Sequence, residues 1–99
     1  MSSSPAIQEY TTSLRVCNAH ANPLTLHPEP WGEQYTMPPE ATFVVVARGP
    51  QGDALEVECA EEHIVLYGWS GSVVTLFHAG KAVGASSTER TPVPLTPSL

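Results

Sequence analysis

Three segments of this chain, Phe43-Val44-Val45-Val46-Ala47, Ile64-Val65-Leu66-Tyr67 and Val73-Val74-Thr75-Leu76-Phe77, carry mostly large apolar groups at consecutive positions. Side chains of a strand alternate between its two faces, so each segment, as a strand, presents apolar groups on both sides. Elsewhere the alternation is one-sided. Leu14 and Val16 alternate with Ser13, Arg15 and Cys17, Leu24 and Leu26 with Thr25 and His27, and Leu55 and Val57 with Glu56 and Glu58. No window repeats apolar residues at i, i+3, i+4 and i+7 over three turns, so the pattern predicts strands throughout.

Turn residues punctuate these segments. Asn22-Pro23 marks a turn, and Pro28, Pro30 and Pro38-Pro39 confine the second and third strands to edges or ends, because proline donates no ladder hydrogen bond. Gly49-Pro50-Gln51-Gly52-Asp53 and Gly68-Trp69-Ser70-Gly71-Ser72 read as hairpin loops, and Ala79-Gly80-Lys81 leads into a last short strand at Ala82-Val83. The expected fold is all-β, a single small antiparallel β-sandwich or flattened barrel of about seven short strands over residues 12–83. Residues 1–11 are expected to form a disordered tail. Residues 84–99, where Pro92, Pro94 and Pro97 lie among Ser and Thr, read as a second flexible tail.

A domain of roughly 60 to 70 residues buries only about 60% of the surface its unfolded chain exposes, so its core is marginal. Such a chain has no third layer to cover a second apolar surface. The doubly apolar strands therefore predict a homo-oligomer, most simply a two-fold dimer, joined through Val44, Val46, Val74 and Leu76.

Charge narrows the partners. Four Lys and Arg against ten Asp and Glu give a net charge of −6, which disfavours nucleic acid, whose phosphates require basic clusters, and a membrane surface likewise. The first residues lack a basic stretch followed by an apolar run, and no segment approaches the ~20 apolar residues of a membrane span, so the expected location is cytoplasmic. The cysteines, Cys17 and Cys59, alternate in register with apolar neighbours and are expected to be buried, reduced thiols.

The run Leu14 to Asn18, then Leu24-Thr25-Leu26, Glu29-Pro30-Trp31-Gly32, Met37-Pro38-Pro39-Glu40 and Phe43-Val44-Val45, resembles small cupredoxin-like β-sandwich proteins. In those, a strand ending in Asn precedes a strand of alternating Leu, a Pro-rich link and a strand that opens after a Pro- and Gly-rich turn. The Glu-Pro-Trp-Gly stretch also resembles short uncharacterised bacterial β proteins, from which no activity carries over. The first resemblance implies a sandwich. It does not imply copper, because a blue-copper site needs two imidazoles, a thiolate and a weak axial Met. Cys59 and His63 fit part of that set, but the only methionines are Met1 and Met37, both upstream.

Of the four histidines, His20, His27, His63 and His78, none forms an H-x-H or H-x-x-x-H pair. His27 and Glu29 share one strand face, and Cys59 and His63 span a turn. Were the second strand beside the turn at Ala60 to Glu62, Cys59 and His63 with His27 or His20 would offer a Zn or Cu site. The structural alternative, surface imidazoles and a core thiol, is preferred, so no metal and no cofactor is expected. Glu56 and Glu58 share a face and permit a paired-carboxylate hydrolase. Acids on the wet side of a strand equally blunt edge-to-edge pairing, and no catalytic residue is assigned. Gly68-Trp69-Ser70-Gly71-Ser72 ends in serine and precedes a strand, where a nucleophile elbow needs glycine and a helix. Trp31, Tyr35 and Trp69 are the candidate binding surface, since aromatics give large contact area with a polar handle. The expected function is a non-enzymatic interaction module that self-associates and engages a further protein partner.

Overall fold

Alternation along the central apolar segments decides the architecture. The computed structural model describes residues 9–83 and 92–93, which form β1 (Glu9–Cys17), β2 (Leu24–Glu29), β3 (Tyr35–Met37), β4 (Thr42–Pro50), β5 (Glu56–Cys59), β6 (His63–Tyr67), β7 (Val73–His78) and β8 (Lys81–Val83). Two four-stranded sheets, ordered β1-β4-β7-β8 and β3-β2-β6-β5, make a small β-sandwich. Neighbouring strands are antiparallel except β2 and β6, which run parallel with Leu26 opposite Ile64 and Pro28 opposite Leu66.

Between the sheets, Phe43, Val45 and Ala47 of β4 and Val74 and Leu76 of β7 meet Leu24, Leu26, Met37, Ile64 and Leu66, with Trp69 at one end. Burying each large side chain here stabilises the fold by roughly 1.5–3 kcal/mol. Val74 and Leu76 are thus core residues, not members of a self-association face. Val74 lies opposite Ala47 and Leu76 opposite Val45, which places Val73, Thr75 and Phe77 on the outer side with Val44 and Val46. The phase of β7 is hidden in the sequence because both of its faces are apolar or nearly so.

Neither glycine-rich loop makes a hairpin. β4 and β5 belong to different sheets, as do β6 and β7, so residues 51–55 and 68–72 carry the chain across the roughly 10 Å between sheets. Turn residues signal a reversal without choosing the partner. In the second crossing, Ser72 N–H donates to the Trp69 carbonyl at 2.8 Å, and Ser72 Oγ accepts from Trp69 N–H at 2.8 Å. Gly71, at φ 81°, supplies the left-handed position this turn needs. Gly49 lets the crossing settle on β4, since a Cβ there would lie 2.6 Å from the Ser72 Cα.

The long loops are joined by one side chain. Asn18 is fully buried; its Nδ2 donates to the carbonyls of Asn22 at 2.9 Å and Met37 at 3.1 Å, and its Oδ1 accepts from His20 N–H at 2.9 Å. Its own N–H donates to the Ala41 carbonyl, and its carbonyl accepts from Glu40 N–H. The chain leaving β1 is thereby fixed to the turn between β3 and β4.

Strand β1 begins at Glu9, so the folded unit starts before residue 12; the rest of the expected N-terminal tail, residues 1–8, lies outside the described residues. Of the expected C-terminal tail, Val93 is held by Gly71 N–H to its carbonyl at 2.7 Å and by its own N–H to the Ser72 carbonyl at 2.9 Å. Residues 84–91 and 94–99 lie outside the described residues. Both cysteines are exposed and unpaired, against the expectation of buried thiols. Cys17 ends an edge strand, and Cys59 shares its face with Val57, which the opposite sheet leaves 38% exposed. No helix among the described residues is long and apolar enough to cross a membrane.

Candidate functional site

The outer sides of the two sheets differ in chemistry. On the β1-β4-β7-β8 sheet, register places Thr11, Arg48 and Val73 in one cross-strand row, Ser13, Val46 and Thr75 in the next, and Arg15, Val44, Phe77 and Ala82 in a third. Val44, Val46 and Phe77 are half-buried, while Val73 and Thr75 are already buried by their neighbours. A shallow groove of about 280 Å³ runs between Thr11, Val46, Arg48, Val73, Thr75 and Phe77. Arg15 and Arg48 frame this face, and Glu9 stands at its end, its carboxylate 3.9 Å from Arg48 Nε. Two of the four basic residues of an acidic chain therefore border the more apolar of the two outer sheet faces.

The β3-β2-β6-β5 sheet carries the acids. Its outer rows are Thr36, Thr25 and His63, then His27, Val65 and Glu58, then Glu29, Tyr67 and Glu56. A groove of about 710 Å³ is bounded by His27, Glu29, Pro30, His63, Val65, Tyr67, Gly68 and Val93. The His27 and His63 rings meet edge to face with centroids 5.4 Å apart. Tyr67 donates to Glu58 Oε1 at 3.2 Å. Partial burial first, and then the negative charges of Glu58, Glu56 and Glu29, hold its phenol above the ordinary tyrosine value, so it remains a neutral donor.

The residues named from sequence fall differently. The expected neighbourhood of strand two and the Ala60 to Glu62 turn exists, with Thr25 N–H donating to the Glu62 carbonyl at 3.1 Å. It brings His27 and His63 together but leaves Cys59 out, because Cys59 lies opposite Ile64 on the other side of the sheet. His20 sits in the Asn18 loop. No three His, Cys, Asp or Glu side chains among the described residues gather closely enough to hold a metal ion. Glu56 and Glu58 share a face as expected, and Glu58 is bonded to Tyr67.

Trp31, Tyr35 and Trp69 do not form one exposed surface. Trp69 is buried, packs at 6.5 Å from the Tyr10 ring and donates Nε1–H to the Pro50 carbonyl at 2.7 Å. Tyr35 lies opposite Leu26 and donates to Glu33 Oε1 at 2.8 Å. Trp31 packs against the core near Gly68, where a Cβ would come 3.2 Å from its Cη2. The sequence offers Tyr67 only as one aromatic candidate beside Trp31, Tyr35 and Trp69; its place among the acids Glu56, Glu58 and Glu29 needs the strand register to read.

No protein-family model, no curated protein and no solved structure matches this chain.

Proposed function

We propose that the chain is a non-enzymatic interaction module that self-associates through the outer face of the β1-β4-β7-β8 sheet. The observation that carries this reading is the half-buried outer cluster of Val44, Val46 and Phe77, seated beside the buried Val73 and Thr75, in a chain of net charge −6. A second copy is the occupant that fits. Stacked face to face, the central valines and Phe77 of two copies meet while Arg15 and Arg48 stay at the rim, and the acidic outer face of the other sheet, with Glu29, Glu56 and Glu58, repels its like. Light scattering tests it directly: the wild type is a dimer or larger at micromolar concentration, and Val44→Glu or Phe77→Glu lowers the mass while circular dichroism stays that of a β protein. A monomeric wild type, or a mass unmoved by either change, overturns it.

The same reading keeps the chain in the cytoplasm, supported by two exposed, unpaired thiols, which persist best in a reducing compartment. The cupredoxin-like resemblance is carried as a proposal about architecture alone, supported by the two-layer sandwich.

A metal-binding reading has one supporting observation, the adjacent imidazoles of His27 and His63. Imidazole is a ligand for Zn and Cu, and two of them form the start of a site. Elemental analysis of untagged protein decides it: stoichiometric metal that is lost in His63→Ala supports the reading, and metal-free protein removes it.

A further inference from the structure

We infer that β1 is a second self-association element, pairing antiparallel with β1 of another copy about a two-fold axis at Thr12, so that two sheets join into one of eight strands. The inference rests on the reading of the chain as self-associating, but on a different surface.

The sandwich has four edge strands, and three are defended. β3 and β8 have three residues each, the latter with Lys81, and β5 has four, of which Glu56 and Glu58 are charged. Short edges and edge charges are the devices by which sheets avoid pairing with one another. β1 has nine residues, no proline and no lysine, and among the described residues no strand pairs with its free side. It also carries two of the three exposed large hydrophobics among the described residues, Tyr10 at 42% and Leu14 at 38%.

The sequence of the strand selects the register. Tyr10 and Leu14 flank Thr12 at two residues on either side, and Glu9 and Arg15 flank it at three. In a two-fold antiparallel pair centred on Thr12, Tyr10 therefore lies directly opposite the partner's Leu14, and Glu9 opposite the partner's Arg15. Each exposed apolar group meets an apolar group, and each charge meets its opposite. Thr11 lies opposite the partner's Ser13, two hydroxyls that suit a cross-strand contact. Both sides of the strand are satisfied at once, because the odd positions share the outer face with Arg48 and Val46 and the even ones share the inner side with Ala47 and Val45. Shifting the centre to Ser13 places Glu9 against the partner's Cys17 and Leu14 against the partner's Thr12, so the charge match is lost and only Tyr10, opposite the partner's Val16, keeps an apolar partner. Glu9, already beside Arg48, then bridges two guanidinium groups across the joint.

Cross-linking reads the register. In a Cys17→Ser, Cys59→Ser background, Thr12→Cys places two thiols across the axis with Cβ atoms about 4.5–5.5 Å apart, close to disulfide range. Under mild oxidation it forms a covalent dimer about 100-fold faster than Leu14→Cys, whose thiols are held far apart, as expected for a held pair against collisional encounter at micromolar concentration. Arg15→Glu abolishes this advantage, and Glu9→Lys with Arg15→Glu restores it. Equal rates at the two positions, or an advantage that Arg15→Glu leaves unchanged, overturn the inference. The experiment is repeated with Val44→Glu. Rapid cross-linking that persists there supports the edge joint independently of the apolar face. A particle dissociated by Val44→Glu but never cross-linked at Thr12 overturns the edge joint and leaves the face reading standing, whereas rapid cross-linking with a mass that Val44→Glu does not change does the reverse.

Discussion

Removing the Asn18 side chain with Asn18→Ala breaks three hydrogen bonds, of which only the one to the Met37 carbonyl is wholly buried. The carbonyl of Asn22 and the N–H of His20 are partly accessible and can turn to water, so each loss costs close to the net worth of a hydrogen bond, about 1 kcal/mol. The Met37 carbonyl has no such recourse and costs about 1–2 kcal/mol. Together the change destabilises by about 3–4 kcal/mol, a large part of the stability of a domain this size. At roughly 4–8 °C per kcal/mol for a domain of this length, the melting temperature falls by ~12–30 °C. The assay is urea unfolding followed by tryptophan fluorescence, at one protein concentration for all variants so that association does not confound the comparison. Asn18→Asp refines it. That change keeps the acceptor for His20 N–H but turns a donor toward two carbonyl oxygens into an acceptor, so at neutral pH it costs at least as much as alanine. Its cost falls as the pH drops through the carboxyl range and an O–H donor returns. A loss below about 1 kcal/mol for Asn18→Ala refutes the view that this residue organises the loops.

Val74→Glu unfolds the domain, because an isolated carboxylate in the core costs several kcal/mol, whereas Val44→Glu retains the fold; circular dichroism separates them. Gly49→Ala destabilises by about 1–3 kcal/mol in thermal melts, since the new methyl meets the Ser72 backbone rather than a flexible side chain. The Tyr67 phenol titrates above the ordinary tyrosine value in a Tyr10→Phe, Tyr35→Phe background, and Glu58→Gln lowers its midpoint by ultraviolet absorbance. Because its folded pKa is raised, the folded state holds this proton more tightly than the unfolded chain. Its contribution is complete below the ordinary value of about 10 and fades as pH climbs through the raised one. Cys59→Ser leaves any bound Zn or Cu unchanged by elemental analysis, because the Cys59 thiol lies across the sheet from His27 and His63.

The strand segments were legible because period-two alternation and turn residues are local signals. So was the wet face of β5, where Glu56 and Glu58 alternate with apolar neighbours. The phase of β7 was not, since Val73, Val74, Thr75 and Leu76 are all buried and nothing in their order says which side is the core. The two crossings were read as hairpins because glycines report that the chain reverses, whereas the choice between pairing and crossing depends on the Ser72 approach to Gly49, a contact between residues far apart in sequence. The cysteines misled for a related reason. Alternation places Cys59 on the inner side of β5, but only the sheet order reveals that this side is left uncovered at the edge. At the groove, His27 and His63 became neighbours through a parallel pairing that no hairpin rule predicts.

The two crossings also govern how the chain finds this state. Because β4 does not pair with β5, nor β6 with β7, only the β2-β3, β5-β6 and β7-β8 pairs join consecutive strands among the described residues, while the β1-β4, β2-β6 and β4-β7 pairs wait for distant segments to meet. Loop closure over those separations precedes any reward from the contacts, which places the domain among slow folders, in the range of milliseconds to seconds. During that interval the uncommitted apolar segments of β4 and β7 face solvent on both sides, so the nascent chain is more exposed to misassociation than its folded surface suggests.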